Sequence, residues 1–138
     1  MLLKERSGEA TAMAPIKAQE EEKLLHFRRV FTKPGVHPFE QIKWEKRKAS
    51  ISNEKGEVIF EHPDVEVPVS WSMMATNVVV SKYFRRSSDG SGRETSVRQL
   101  VGRVVDTISR WGREGGYFAN PEEANTFEAE LCHLLVEQ

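Results

Sequence analysis

The chain has 138 residues, a formal net charge of −1 and one cysteine, with 38% hydrophobic and 30% charged residues. This length suits one domain with a modest core and is too short for a closed eight-stranded α/β barrel, which takes about 250 residues. The lone Cys132 excludes an intrachain disulfide, a cysteine-based zinc site, and any chemistry that needs a reactive thiol plus a reducing dithiol pair in one chain.

Strictly apolar runs reach only three residues, as at 78–80 and 134–136. A bilayer span needs about 20. The first residues also lack the apolar core of a secretory signal, so the expectation is a soluble, cytoplasmic protein. The near-zero net charge hides alternating blocks: −1 over residues 1–26, +5 over 28–55, −4 over 57–80, +5 over 82–113 and −6 over 114–138. Such blocks can contact a polyanion or neutralise one another within the fold. With no isolated basic tail, mutual neutralisation is favoured.

In chain order, residues 1–26 are polar and alanine-rich around Glu20-Glu21-Glu22 and read as a disordered leader. From Phe27 the texture changes, with Pro34, Pro38, Pro63 and Pro68 as punctuation. Two strand-like pieces, about 42–52 and 57–61, flank Asn53-Glu54-Lys55-Gly56, whose glycine can take the positive φ of a short hairpin loop. Val65 and Val67 alternate with Glu66 up to Pro68, which extends the β-ribbon.

Three helices follow. Ser70 or Ser72 can cap the first, which is expected to run to about Arg86 with Trp71, Met74, Ala75, Val78, Val79 and Lys82 along one side. The second, about 95–111, has the clearest period in the chain: Val97, Leu100, Val101, Val104, Val105, Ile108 and Trp111. Gly112, Gly115 and Gly116 end it, and Gly115-Gly116-Tyr117-Phe118 is read as a close backbone packing element. Asn120-Pro121-Glu122-Glu123 then opens a third helix, with Asn120 as N-cap, Glu123 completing a capping-box-like pair, and Phe127, Leu131, Leu134 and Leu135 as its stripe. That helix reaches Gln138 without a stop signal and reads as interrupted. The fold class is α+β, mostly α: a short N-terminal β-ribbon followed by three amphipathic helices.

No catalytic or metal-binding constellation emerges. His26, His37, His62 and His133 read as solvated or locally bonded, and neither His37 nor His62, each followed by proline, forms an i, i+4 pair that resembles a helical zinc site. Cys132 lies deep in its helix and reads as a small buried hydrophobe rather than an activated thiolate. Phosphate-binding glycine motifs are absent from the sequence. Arg98, Arg103, Arg110 and Arg113 make a basic side on the second helix, read as solvated or partner-facing rather than DNA-reading. Trp44, amid Lys43, Lys46, Arg47 and Lys48, could stack on a single strand or pack.

Several segments, in order, resemble the N-terminal region of adenosylcobalamin-dependent (class II) ribonucleotide reductases. They are Phe31-Thr32-Lys33-Pro34-Gly35, Gly56-Glu57-Val58-Ile59-Phe60, Val65-Glu66-Val67-Pro68-Val69-Ser70-Trp71-Ser72, Ser81-Lys82-Tyr83-Phe84-Arg85 and Arg93-Glu94-Thr95-Ser96. Gly102-Arg103-Val104-Val105, Trp111-Gly112-Arg113-Glu114-Gly115-Gly116-Tyr117-Phe118 and Phe127-Glu128-Ala129-Glu130-Leu131 complete the set. The resemblance covers residues 27–138, which it marks as the reductase's N-terminal domain.

For the whole enzyme the resemblance implies reduction of ribonucleotides, as a ribonucleoside-diphosphate reductase, to 2′-deoxyribonucleotides for DNA synthesis. In the family, cobalt–carbon homolysis in adenosylcobalamin generates a cysteine thiyl radical, and two more cysteines supply electrons. Those residues lie on a catalytic barrel that follows this region, past an Asn-Ser-Pro element. Hence no catalytic residue transfers to this chain, Cys132 matches none of the family cysteines, and cobalamin contacts are not assignable here. The expected partner is that barrel, from the same gene or a split subunit. Val97, Leu100, Val101, Val104, Ile108 and Trp111 are expected core or docking residues, and the chain alone is expected to be inactive and to bind no cofactor. The alternative reading is a small stand-alone nucleic-acid-binding or interaction module that uses the basic blocks.

Overall fold

Alternating side chains after Ile42 fold into an antiparallel ribbon. In the computed structural model, which describes residues 24–137, β1 (Trp44–Ser52) pairs with β2 (Val58–Pro68), with Trp44 opposite Pro68 and Ser52 opposite Val58. The connecting turn forms because Gly56 takes φ +80° and the Asn53 side-chain oxygen accepts the amides of Lys55 and Glu57 at 3.0 Å. A one-turn 3-10 helix, Pro38–Gln41, precedes the ribbon.

Pro63 does not end the second strand, contrary to its reading as punctuation. The register passes from Arg47–Val65 to Ala49–His62, so Pro63 and Asp64 together stand opposite Lys48. This is a β-bulge, and Asp64 takes the left-handed φ of +54° within it. A proline fits there because the bulged residues leave the ladder. The bulge returns Val65 and Val67 to the inner face, where they are fully buried beside Ala49.

Helix α1 (Met73–Lys82) and helix α2 (Val97–Glu114) lie against the ribbon, and helix α3 (Pro121–Val136) packs along α2. The ribbon valines, Val80, Phe84, Val97, Val101, Val105 and Cys132 make one continuous core.

Ser72 caps α1 by accepting the Ala75 amide at 3.0 Å. The helix stops at Lys82, short of the expected Arg86, and its buried stripe is rotated from the expected one. Thr76 and Val80 face inward, while Val78 is exposed and Met74 is 77% exposed. The run of three valines offers apolar side chains all around the helix, so periodicity cannot choose a face. Thr76 decides it. Its hydroxyl donates to Ser72 O at 2.9 Å and accepts from the Arg47 guanidinium at 3.0 Å.

Ser96 and Gln99 form a reciprocal capping box at the start of α2, two residues later than the sequence suggested. Val97, Val101 and Val105 point into the core. Asn120 caps α3 as expected, accepting the Glu123 amide at 2.9 Å. The Glu123 carboxylate does not complete that box. It accepts the Phe27 amide at 2.6 Å and so ties the N-terminal segment to α3. Of the expected α3 stripe, Leu134 is exposed, while Phe127, Leu131 and Leu135 are half-buried.

Between α2 and α3 the chain turns back through a close contact. A β-carbon on Gly112 would lie 2.5 Å from the Phe118 ring, so only glycine admits the ring there. Phe118 joins Phe27 and Phe127 in an aromatic cluster with centroid spacings of 4.9–5.9 Å. The Leu25 amide donates to Tyr117 O at 2.8 Å, so the described residues before Phe27 are held by the body of the fold. The leader expected at residues 1–26 falls, up to residue 23, outside the described residues.

Candidate functional site

The motif residues meet one another in space. At the β2–α1 corner, Arg47 donates to Trp71 O at 2.5 Å, Thr76 Oγ1 at 3.0 Å and Val69 O at 3.0 Å, and it also pairs with Glu45. Trp71 is buried, and its indole N–H donates to Val136 O at 2.9 Å, which locks the end of α3 to this corner. From the same segment the Glu66 amide donates to Thr95 O at 2.9 Å. The Glu66 carboxylate accepts Ser96 Oγ at 2.5 Å and Arg98 Nε at 2.9 Å. Arg98 lies over Trp44 at 4.1 Å, and the indole N–H donates to Phe39 O. Trp44 is therefore engaged by the fold itself, as the packing reading required.

The charge blocks pair across the chain. Lys48 meets Glu61 at 2.7 Å, Arg98 meets Glu66, Arg103 meets Glu94 at 2.9 Å and Arg113 meets Glu128 at 2.6 Å. Burial pushes the Glu94 carboxyl up, but the Arg103 guanidinium and the Arg85 amide outweigh it and hold the group below the usual range. Glu130 is the most perturbed acid. Burial raises it, yet the Thr32 hydroxyl at 2.5 Å and the amides of Phe31 and Thr32 at 3.0–3.2 Å bring it down to about 2. These carboxylates act as clasps for backbone and arginine, a structural use of a shifted pKa.

The residues weighed as chemical candidates are dispersed. Cys132 is buried in the core, and burial together with Glu128 and Asp106 pushes its thiol up to about 11, so it is not an activated nucleophile. His37 Nδ1 accepts the Phe39 amide, His62 Nδ1 contacts Pro63 O, His133 stacks on Phe31, and His26 lies 3.5 Å from Glu123. Among the described residues no group of three or more His, Cys, Asp or Glu could hold a metal ion. No described helix is long and apolar enough to cross a membrane.

Two of the clefts among the described residues lie between separate elements, and one apolar stripe lies on α2. A cleft of about 310 Å³ lies between the segment before β1, α2 and α3, lined by both signs of charge, including Arg29, Lys33, Asp106 and Glu128. A second, of about 530 Å³, lies between the turn end of the ribbon and the loop 86–93, lined by Phe60, His62, Arg86 and Arg93. On α2, Val104, Ile108 and Trp111 share one flank by helical spacing, and the last two are 37% and 60% exposed. Sequence reading found the stripe but not the second cleft. Its walls come from segments about 30 residues apart, which the cation–aromatic contact of Arg93 on Phe60 helps to bring together.

Charged side chains that join the chain's own segments around one continuous core define a small α+β domain. A family model described as class II vitamin B12-dependent ribonucleotide reductase matches residues 45–138. The chain belongs to that family and represents its N-terminal domain. It is 44% identical over 117 residues to the vitamin B12-dependent ribonucleotide reductase of Streptomyces clavuligerus, covering 84% of this chain and 12% of the relative. The protein of the same name from Rhodopirellula baltica is 49% identical over 105 residues, covering 75% of this chain and 10% of the relative. That from Agrobacterium fabrum is 29% identical over 147 residues, covering 83% and 12%. The chain thus spans about a tenth of the length of these relatives.

Proposed function

We propose that this chain serves as the N-terminal domain of an adenosylcobalamin-dependent enzyme that reduces ribonucleotides to 2′-deoxyribonucleotides in the cytoplasm. Residues 27–138 form the domain, residues 1–26 its leader, and the catalytic barrel of the reductase is its partner. The domain supplies packing and orientation, while the radical chemistry and the cofactor belong to the barrel. The chain contributes no catalytic residue and binds no cobalamin by itself.

One observation carries this reading. A chain matched to the family over residues 45–138 keeps Ile108 and Trp111 outward on its most amphipathic helix. Apolar surface of that kind is stabilised by burial against a partner, at about 25 cal/mol per Å². The pairing of Lys48, Arg98, Arg103 and Arg113 with carboxylates of the same fold leaves less free charge for the nucleic-acid alternative.

The test mixes the purified chain with the barrel portion of a reductase of this family. Co-elution of the two, with deoxyribonucleotide formation from adenosylcobalamin and a dithiol only when the barrel is present, is expected. Turnover by the 138-residue chain alone overturns the reading, as does failure of the two pieces to associate.

A further inference from the structure

The loop 86–93 pairs the backbones of two arginines across its base, and the one acid within the loop, Asp89, accepts the Ser91 amide at 2.9 Å. Arg86 and Arg93 are partners in an isolated antiparallel bridge, which places two like charges directly across from each other. Such a pair is destabilising unless an opposite charge serves both. Arg47, Arg98, Arg103 and Arg113 each reach a carboxylate or a backbone carbonyl of another segment, and Arg29 reaches two threonine hydroxyls. Arg86 has no partner among the described residues. Arg93, with five N–H donors, makes one long contact of 3.5 Å to Val80 O, and its buried Nε–H is unpaired.

The surroundings are those of a cleft rather than an open surface. Both arginines line the space of about 530 Å³ beside the ribbon. The Arg93 guanidinium is held over the Phe60 ring at 5.3 Å, which fixes it without neutralising it. His62 adds an imidazole whose Nδ1–H is turned to Pro63 O. The one acid on the wall, Glu61, is taken by Lys48 at 2.7 Å. The remaining wall includes Ile59, one of the most exposed apolar residues of the fold.

We propose that this cleft binds a phosphate group, held between the Arg86 and Arg93 guanidinium groups. Two forked, always-charged donors on opposite strands match the several oxygens and double charge of a phosphate better than a single carboxylate. The apolar wall of Ile59 and Phe60 leaves room for the group that carries the phosphate. That phosphate is either free inorganic phosphate or the phosphate of a nucleoside monophosphate, and the two are separable by experiment.

The 138-residue chain, labelled with ¹⁵N, would be titrated with inorganic phosphate and separately with adenosine 5′-monophosphate, with chloride holding the ionic strength constant. Saturable shifts of the Arg93 Nε–H signal and the Gly90 and Gly92 amides are expected. Exposed Arg86→Gln should weaken binding about tenfold with the fold intact, whereas Arg110→Gln, on the outer side of α2, should leave it unchanged. Tighter binding of the nucleotide assigns the apolar wall to the base, and equal binding assigns the site to free phosphate. The proposal is overturned if neither probe saturates at about 20 mM, about twenty times a 1 mM Kd. It is also overturned if Arg86→Gln and Arg110→Gln weaken binding equally.

Discussion

The β2–α1 corner and the C-terminal half of α2 each present a tryptophan in an apolar stretch, and the fold treats them oppositely. Trp71 is 6% exposed, donates its indole N–H to the last turn of α3, and has its own carbonyl gripped by Arg47. Trp111 is 60% exposed, one residue before a glycine whose surface is pressed onto Phe118. The corner joins β1, β2, α1 and α3, so loss of one side chain there affects several elements. The end of α2 is held along one flank only, and its other flank is available to a partner. At the corner the Arg47 guanidinium draws β1 and the start of α1 together, and the indole beside it is enclosed.

The largest effect should come from the corner. Trp71→Ala removes a buried indole and orphans the Val136 carbonyl, and should cost about 3–5 kcal/mol in urea unfolding. Trp71→Phe, which retains much of the ring, should cost clearly less. Equal losses for the two variants would show that the hydrogen bond, not the packed volume, holds the corner.

Glu130 comes next. Glu130→Gln weakens the charged acceptor for Thr32 and two amides and should cost about 1.5–3 kcal/mol. Its native pKa of about 2 lies below the ordinary carboxylate value. The stabilisation is therefore fully present above about pH 4.5 and fades as the pH falls toward 2. Stability measured between pH 5 and pH 2.5 should fall more steeply for the native chain than for Glu130→Gln. Parallel curves would remove Glu130 from the clasp.

A smaller loss is expected for Gly112→Ala. Overpacking against Phe118 costs about 1–3 kcal/mol, and the better helix propensity of alanine returns about 1 kcal/mol, leaving a net loss of about 1 kcal/mol. A stabilised variant would mean that the aromatic cluster gives way easily. Smallest of all, Trp111→Ser should change the stability of the isolated chain by no more than about 0.5 kcal/mol. It should nonetheless weaken association with the barrel portion measurably in a binding assay. A large stability loss for Trp111→Ser would erase the distinction between the two regions.

Much of this architecture was legible in the residues. The Asn53–Gly56 turn, the Asn120 cap and the period of α2 rest on interactions within a few neighbouring positions, which sequence patterns encode directly. The buried, unreactive Cys132 was readable from its place beside the α3 stripe. The cleft at Arg86 and Arg93 was not, because its walls belong to different elements.

By itself, the sequence determined the α+β class, the order of ribbon and helices, and the resemblance that leads to the reductase family. The tertiary structure decided which side of α1 is inside, how β2 passes Pro63, where Glu123 spends its carboxylate, and which tryptophan is enclosed. The reason is physical. Local hydrogen bonding and periodicity act over a few residues, whereas the Thr76–Arg47, Glu123–Phe27 and Trp71–Val136 contacts depend on segments 29 to 96 positions apart.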